Sequence, residues 1–139
     1  MNSGSRRVDV FFYGLFMDAE LLRAKGIEPV SIRIACVPGF ALRIGERATL
    51  TPAPDSRVYG VLMGLTHNEI ERLYSEKSVS IYQPEAIIAE LTDGSQVPAL
   101  CFNLPVAPNP QEANPDYATQ LRDLGRRLGL PSDYVDSIG

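Results

Sequence analysis

The sequence predicts an α+β fold, in which a curled sheet of mixed or largely antiparallel strands carries a few flanking helices. Short runs of β-branched and aromatic residues recur along most of the chain. Clusters of Gly, Pro, Asn and Asp separate these runs at spacings typical of hairpins. Only a few segments repeat apolar residues every three or four positions, as helices do. The pattern gives about seven strands and about three helices.

Length and composition restrict the kinds of protein that fit. The chain has 139 residues, which predicts a single domain over residues 1–139. Its net charge is −4, and it lacks a Lys/Arg run longer than two residues, so we expect no nucleic-acid partner. No apolar stretch approaches the roughly 20 residues of a membrane span, and the polar N-terminus does not resemble a secretory signal. We expect a cytoplasmic protein without a membrane partner; its oligomeric state is left open.

The cysteines and the single histidine do not form a metal-binding pattern. Cys36 and Cys101 lie far apart, each inside an apolar segment, and neither is spaced with His67 as zinc ligands are. Buried free thiols are the expected state of both cysteines. We therefore predict no metal and no cofactor.

The first predicted element is a strand that ends at a glycine. Residues 8–12 are apolar except for Asp9, and Gly14 follows. A helix is predicted over residues 18–26, with Asp18 as its N-cap. Backbone N–H groups in a turn just before a helix can bind a carboxylate or an oxyanion. The alternative is a strand-to-helix turn that binds nothing.

The sequence of the middle of the chain predicts a series of short strands. Alternation of apolar and polar residues predicts a strand over residues 31–37, and Pro38-Gly39 predicts a turn after it. Extended segments are predicted at residues 40–44 and 47–51, and residues 52–56 are expected to form a loop.

A stronger strand and a helix follow. Residues 58–65 are apolar and contain Gly60 and Gly64, which indicate a bulge or a close approach to the backbone. Thr66 and Glu69 match a capping box, so a helix should start there and end between Tyr74 and Glu76.

The last third predicts a hairpin and a C-terminal helix. Residues 85–91 and 97–104 flank an Asp93-Gly94 turn. After a proline-rich connection, Asn114 and Pro115 should begin a helix that ends at Gly129. Its buried stripe is expected to consist of Tyr117, Leu121, Leu124 and Leu128, and one or two more helical turns are expected within residues 132–138.

The remaining candidate chemistry is that of a carboxylate. With one histidine and no Gly-x-Ser-x-Gly motif, the sequence does not indicate a Ser-His-Asp triad, and there is no P-loop. Glu76 follows a helix whose apolar face points to the core, and Tyr74 and Tyr82 flank it. It could lie at a cavity wall, although a solvated Glu in a surface loop is the alternative.

Taken in order, these motifs resemble the gamma-glutamylcyclotransferase-like family. Members open with a strand and a Tyr-Gly turn, which Tyr13-Gly14-Leu15-Phe16-Met17 matches. They continue with a Gly-Val strand, matched by residues 57–62, and with a leucine, a key glutamate and a tyrosine, matched by Leu73, Glu76 and Tyr82. Residues 114–117 and 130–135 are similar to the family's tail.

The resemblance implies a small barrel or curled sheet and an enzyme, a lyase or acyltransferase, that releases 5-oxoproline from a gamma-glutamyl amino acid or amine. Glu76 would be the general base, and Tyr13, Gly14, Leu15, Phe16 and Tyr82 would bind the substrate. The family often has Ser or Thr and then Asn after Tyr-Gly, and an Arg where Pro84 stands. Here Leu15 and Phe16 leave only backbone amides in the turn. A non-catalytic module that binds a small molecule or a protein on the same fold is the alternative.

Overall fold

Five β-strands form a closed barrel in the computed structural model, which describes residues 6–139. The polar segment of residues 1–5, which contributed to the prediction about secretion, lies outside the described residues. The strands are β1 (Arg7–Phe12), β2 (Val30–Ile44), β3 (Ala48–Thr66), β4 (Gln83–Leu91) and β5 (Gln96–Asn103). Around the barrel their order is β1-β3-β2-β4-β5. Neighbours are antiparallel, except that β5 closes the barrel against β1 in parallel.

The fold class is confirmed, but five strands replace the seven or so that were predicted. The predicted turn at Pro38-Gly39 is wrong, because β2 runs through it. Gly39 has a φ of +87°, and the strand register shifts there. A bulge of this kind bends a strand without ending it.

The predicted loop at residues 52–56 is wrong for the same reason. These residues belong to β3, where Pro52 pairs with Phe40 and Arg57 pairs with Pro38. The residues between Pro52 and Arg57 therefore provide the extra length of the bulge. These turn-forming residues continue the strands because the segments on either side of them pair with a neighbouring strand.

The helices begin and end close to the predicted positions. They are α1 (Ala19–Ala24), α2 (His67–Leu73), α3 (Pro115–Leu128) and α4 (Ser132–Ser137). Asp18 caps α1, Thr66 and Glu69 form the predicted capping box, and Asn114 caps α3. Helix α4 makes four helices rather than about three. None of the helices in residues 6–139 has the length and apolar composition needed to cross a membrane.

Strand β1 and Tyr13, the residue after it, contribute to two apolar clusters. Phe11 and Tyr13 pack in a cluster whose buried members all come from the strand-rich segments, whereas Val10 and Phe12 pack in a cluster shared with the helices. The alternation follows from the two-residue period of a strand. The residues that follow β1 therefore emerge at the border between the barrel and its helices. Both cysteines are buried and free, as predicted.

Gly60 confirms that a strand glycine marks a close approach. A side-chain carbon there would collide with the Phe12 carbonyl and the Phe11 ring. Because β1 approaches β3 so closely, the end of β1 is held at one fixed position.

Candidate active site

A cavity of about 470 Å³ opens beside the end of β1. All six residues that the sequence singled out line it: Tyr13, Gly14, Leu15, Phe16, Glu76 and Tyr82. The fold thus brings together the Tyr-Gly turn (residues 13–17) and the segment after α2, which are about 60 residues apart in the chain. His67 lies on α2 outside this lining; its exposed side chain pairs with Glu71 at 3.1 Å.

The Tyr-Gly turn presents backbone N–H groups to the cavity. It forms a short 3-10 helix in which the Met17 amide donates to the Gly14 carbonyl at 3.0 Å. Within residues 6–139, the amides of Leu15 and Phe16 have no backbone acceptor. Donors without a backbone acceptor can hold a carboxylate or an oxyanion.

Tyr117 of α3 covers this turn. A side-chain carbon at Gly14 would collide with the Tyr117 hydroxyl, so only glycine permits this contact. Burial raises the pKa of Tyr117, and a hydrogen bond from the Leu15 amide partly offsets the rise. The Leu15 amide of the turn therefore already donates to a side-chain oxygen.

An aromatic column forms one wall of the cavity. Phe16 packs edge-on against Phe12 and Tyr74, with ring centroids 6.1 and 6.0 Å apart. Tyr74 also stacks on Phe102 at 4.0 Å. Packing of this kind fixes the backbone at Tyr74, two residues before Glu76. Phe16 thus contributes packing at a position where the family that the sequence resembles often has a polar side chain.

The two tyrosines predicted as site residues, Tyr13 and Tyr82, donate hydrogen bonds from their hydroxyls to backbone carbonyls of the barrel. Tyr13 donates to the Phe102 carbonyl at 2.6 Å, and Tyr82 donates to the Ala48 carbonyl. Burial raises the pKa of Tyr13 above the ordinary phenol range and that of Tyr82 to about 12. Both side chains are therefore neutral near pH 7, and neither hydroxyl proton is available to a ligand in this arrangement.

Glu76 is half-exposed and forms an ion pair at the cavity wall. Its Oε1 accepts from the Lys25 ammonium at 2.6 Å. Lys25 lies at the C-terminal end of α1 and also lines the cavity. Within residues 6–139, Oε2 of Glu76 makes no hydrogen bond. One carboxylate oxygen is thus held in place while the other can accept a proton or a hydrogen bond.

Two further charged residues line the cavity on the turn between β2 and β3. These are Glu46 and Arg47. The Arg47 Nε donates to the Ser78 carbonyl at 2.9 Å, which joins this turn to the loop after Glu76.

The sequence did not identify Lys25, Glu46, Arg47 or Tyr117 as site residues. The local sequence around Lys25 predicts only the end of a helix, and that around Tyr117 predicts only the buried face of a helix. Only the tertiary fold places them beside Glu76 and Gly14. Among residues 6–139 no group of three or more His, Cys, Asp or Glu is arranged to hold a metal.

Comparison with known proteins identifies one matching family model. The family model described as gamma-glutamyl cyclotransferase, AIG2-like, matches residues 10–120. No curated protein matches the sequence.

Several solved structures share the fold at low sequence identity. A protein titled gamma-glutamyl cyclotransferase superposes with a TM-score of 0.76 at 17% identity, over 96% of this chain and 88% of the other. An uncharacterised human protein gives 0.75 at 18% identity, over 97% and 89%. An AIG2-like mouse protein gives 0.60 at 13% identity, over 80% and 90%. The matched model covers most of the chain, and the chain belongs to the gamma-glutamyl cyclotransferase, AIG2-like family.

Proposed function

We propose that this protein is a cyclotransferase that releases 5-oxoproline from a gamma-glutamyl compound. One observation carries the proposal: Glu76, with one free carboxylate oxygen, lines the same cavity as the Tyr-Gly turn, whose Leu15 and Phe16 amides have no backbone acceptor. Neither cysteine lines this cavity. Family membership supports the same chemistry.

The reaction is an intramolecular aminolysis. The α-amine of the substrate attacks its own γ-carbonyl carbon, a ring C–N bond forms, and the amide bond to the leaving amine breaks. Nucleophile and electrophile belong to one molecule, so holding a cyclising conformer supplies a large part of the rate. The aromatic column and the covering Tyr117 restrict the space in which the chain of the substrate can extend.

Glu76 is the proposed proton carrier. The α-amine is protonated near pH 7 and must lose a proton before it attacks. The free Oε2 of Glu76 takes this proton and returns it to the leaving amine, while Lys25 holds Oε1 in place. Proton transfer by a positioned side chain typically contributes about 10²–10⁴-fold to a rate.

The amides of Leu15 and Phe16 are the proposed binding site for substrate oxygen. They would stabilise the α-carboxylate or the oxyanion that forms on the γ-carbonyl. A ligand oxygen at Leu15 would compete with, or add to, the Tyr117 hydroxyl. Tyr13 and Tyr82 line the wall of the cavity, but their hydroxyls donate to backbone carbonyls of the barrel.

The test is release of 5-oxoproline from a panel of gamma-glutamyl amino acids, gamma-glutamyl amines and glutathione. We expect Glu76→Gln to lower kcat by about 10²–10⁴-fold because the proton acceptor is lost. Glu71→Gln is the matched control, since Glu71 is exposed on α2 outside the cavity. It should leave kcat unchanged.

Two outcomes would contradict the proposal. Full turnover by a folded Glu76→Gln protein would reject Glu76 as the base, and loss of turnover in Glu46→Gln instead would transfer that assignment to the second carboxylate of the cavity. If the wild-type protein released no 5-oxoproline from any compound, the binding module would become the better interpretation. Such a module should tolerate Glu76→Gln better than loss of the apolar Phe16.

A further inference from the structure

Hydrogen bonds hold the backbone of the turn between β2 and β3, which carries the exposed side chain of Arg47. The Gly45 amide donates to the Arg47 carbonyl at 3.1 Å. The adjoining Glu46 amide donates to the Glu112 carboxylate at 3.1 Å, and the Asn114 side chain donates to the Glu46 carbonyl at 3.3 Å. This short turn is therefore tied both internally and to the segment that precedes α3.

A single hydrogen bond orients the guanidinium of Arg47. Its Nε donates to the Ser78 carbonyl at 2.9 Å. Within residues 6–139, its two terminal nitrogens make no hydrogen bond and Arg47 forms no ion pair. Its positive charge lies close enough to Tyr82 to oppose the rise of that pKa. An arginine fork held by Nε presents its terminal N–H groups in the geometry that a carboxylate accepts.

Arg47 is the available cation of this cavity. The other cation in the lining is Lys25, whose ammonium is engaged by Glu76 at 2.6 Å. Ser78, which anchors Arg47, lies two residues after Glu76. Arg47 is thus on the side of the cavity that carries the proposed base, on a different element from the Tyr-Gly turn.

We propose that Arg47 binds a carboxylate on the leaving amine, which makes gamma-glutamyl amino acids, rather than uncharged gamma-glutamyl amines, the preferred substrates. This inference rests on the proposed function, because it requires the γ-glutamyl group at the Tyr-Gly turn. The scissile amide then lies at Glu76, and the departing group extends beyond it toward Arg47.

Glu46 limits the number of negative charges that this end of the cavity accepts. Its carboxylate also lines the cavity, and within residues 6–139 it forms no ion pair. A second carboxylate on the leaving group would meet it unfavourably. Leaving amino acids with one carboxylate are therefore preferred over acidic ones, and Glu46→Gln should strengthen binding of an anionic leaving group.

The experiment compares gamma-glutamyl-alanine with gamma-glutamyl-alaninamide, which differ only in the leaving-group carboxylate. Binding is measured by titration calorimetry on the Glu76→Gln protein, so that neither compound is consumed. We expect gamma-glutamyl-alanine to bind roughly tenfold more tightly, a difference of about 1.4 kcal/mol. Adding Arg47→Gln should reduce this ratio to about one, and Arg47→Lys should retain part of it, because a lysine keeps the charge but not the fork.

Arg43→Gln is the matched control. Arg43 is an exposed arginine of β2 outside this cavity, and its replacement should leave the ratio unchanged. Equal binding of the two compounds would overturn the inference, and so would an Arg47→Gln effect of equal size on both.

The two proposals fail in different ways. A binding preference that depends on Arg47, together with no 5-oxoproline release by the wild-type protein, would support the carboxylate site and reject the cyclisation. Release from both compounds with equal kcat/KM would reject the carboxylate site and support the cyclisation. Absence of binding of either compound would reject the carboxylate site.

Discussion

At the scale of single residues, the contact between Gly14 and Tyr117 explains why a glycine stands in the turn. The backbone of Gly14 is extended, with a φ of −111°, which any residue can adopt. The requirement is therefore one of space, since the Tyr117 hydroxyl occupies the volume that a side chain would fill. Loop and helix constrain each other through this contact, and one substitution can compensate for the other.

Gly14→Ala should destabilise the protein by about 1–3 kcal/mol, because the added methyl group collides with the Tyr117 hydroxyl. Tyr117→Phe removes the hydroxyl oxygen. The ring carbon that carried it then lies 3.8 Å from the added methyl group at position 14, which is an ordinary contact distance. We therefore expect the double variant to be more stable than the sum of the single effects predicts. Urea unfolding of the four proteins measures this coupling energy.

Additive effects in that cycle would contradict the steric explanation. They would mean that Gly14→Ala acts through the backbone alone, or that Tyr117 moves away from the turn at no cost in stability. Tyr117→Phe on its own should cost about 1 kcal/mol, because the Leu15 amide loses its acceptor.

At the scale of elements, the capping box of α2 ties three segments together. Glu69 accepts from the Thr66 amide at 2.9 Å and from the Glu28 amide at 2.8 Å, and it pairs with Arg7 of β1 at 3.3 Å. Burial alone would raise the pKa of Glu69, but these hydrogen bonds and the Arg7 charge lower it overall. The helix that leads to Glu76 is thus anchored at its start by an ionised carboxylate.

Glu69→Gln should lower the free energy of unfolding at pH 7 by about 1 kcal/mol, the usual scale of a cap interaction. Because the folded-state pKa is lowered, the stabilisation is complete above the unfolded value of about 4.3 and is lost as the pH falls through the folded value. The difference between wild type and Glu69→Gln should therefore shrink toward pH 3. A difference that stays constant from pH 7 to pH 3 would contradict this, and Glu71→Gln is the exposed control on the same helix.

Elements with local signals were predictable from the sequence. The capping box at Thr66, the Asn114-Pro115 start of α3 and the Asp93-Gly94 turn each depend on residues that are close in the chain. The continuous β2 and β3 were not predictable, because Pro38-Gly39 and residues 52–56 are turn-forming sequences that lie at a register shift between two strands paired on either side of it. Tertiary pairing outweighs local propensity in such cases.

The candidate site was predictable to a similar extent. The Tyr-Gly turn and Glu76 have recognisable sequence contexts, and the fold places both at one cavity. Lys25 and Arg47 have no such context, because their meaning depends on which residues of other elements lie next to them. An ion pair between residues 51 positions apart, such as Lys25 and Glu76, leaves no local pattern.

At the scale of the whole molecule, the cavity depends on closure of the barrel. Strand β5 meets β1 in parallel at Val10 and Leu100, and the Tyr13 hydroxyl bonds to the Phe102 carbonyl at the same seam. Phe102 also stacks on Tyr74, in the segment before Glu76. The seam and the proposed site therefore share residues.

Tyr13→Phe should lower the free energy of unfolding by about 1–3 kcal/mol, because the buried Phe102 carbonyl loses its donor. If the hydroxyl only stabilises the barrel, kcat for 5-oxoproline release should change by less than about threefold. This is well below the tenfold change that about 1.4 kcal/mol of activation free energy would produce. Chemical unfolding and the turnover assay measure the two effects. A large loss of kcat with unchanged stability would mean that the hydroxyl contacts the substrate.

The parallel seam between β1 and β5 also has a consequence for how the chain folds. Val10 and Leu100 are 90 positions apart, so their pairing closes a very long loop, whereas β2 with β3 and β4 with β5 are hairpins of neighbouring strands. Contacts between distant residues become favourable only after the intervening chain is ordered. The hairpins can therefore form first and the seam last. A nascent chain that has not yet completed β5 lacks Phe102, so at the proposed site the Tyr13 hydroxyl has no acceptor there and Tyr74 has no ring to stack on.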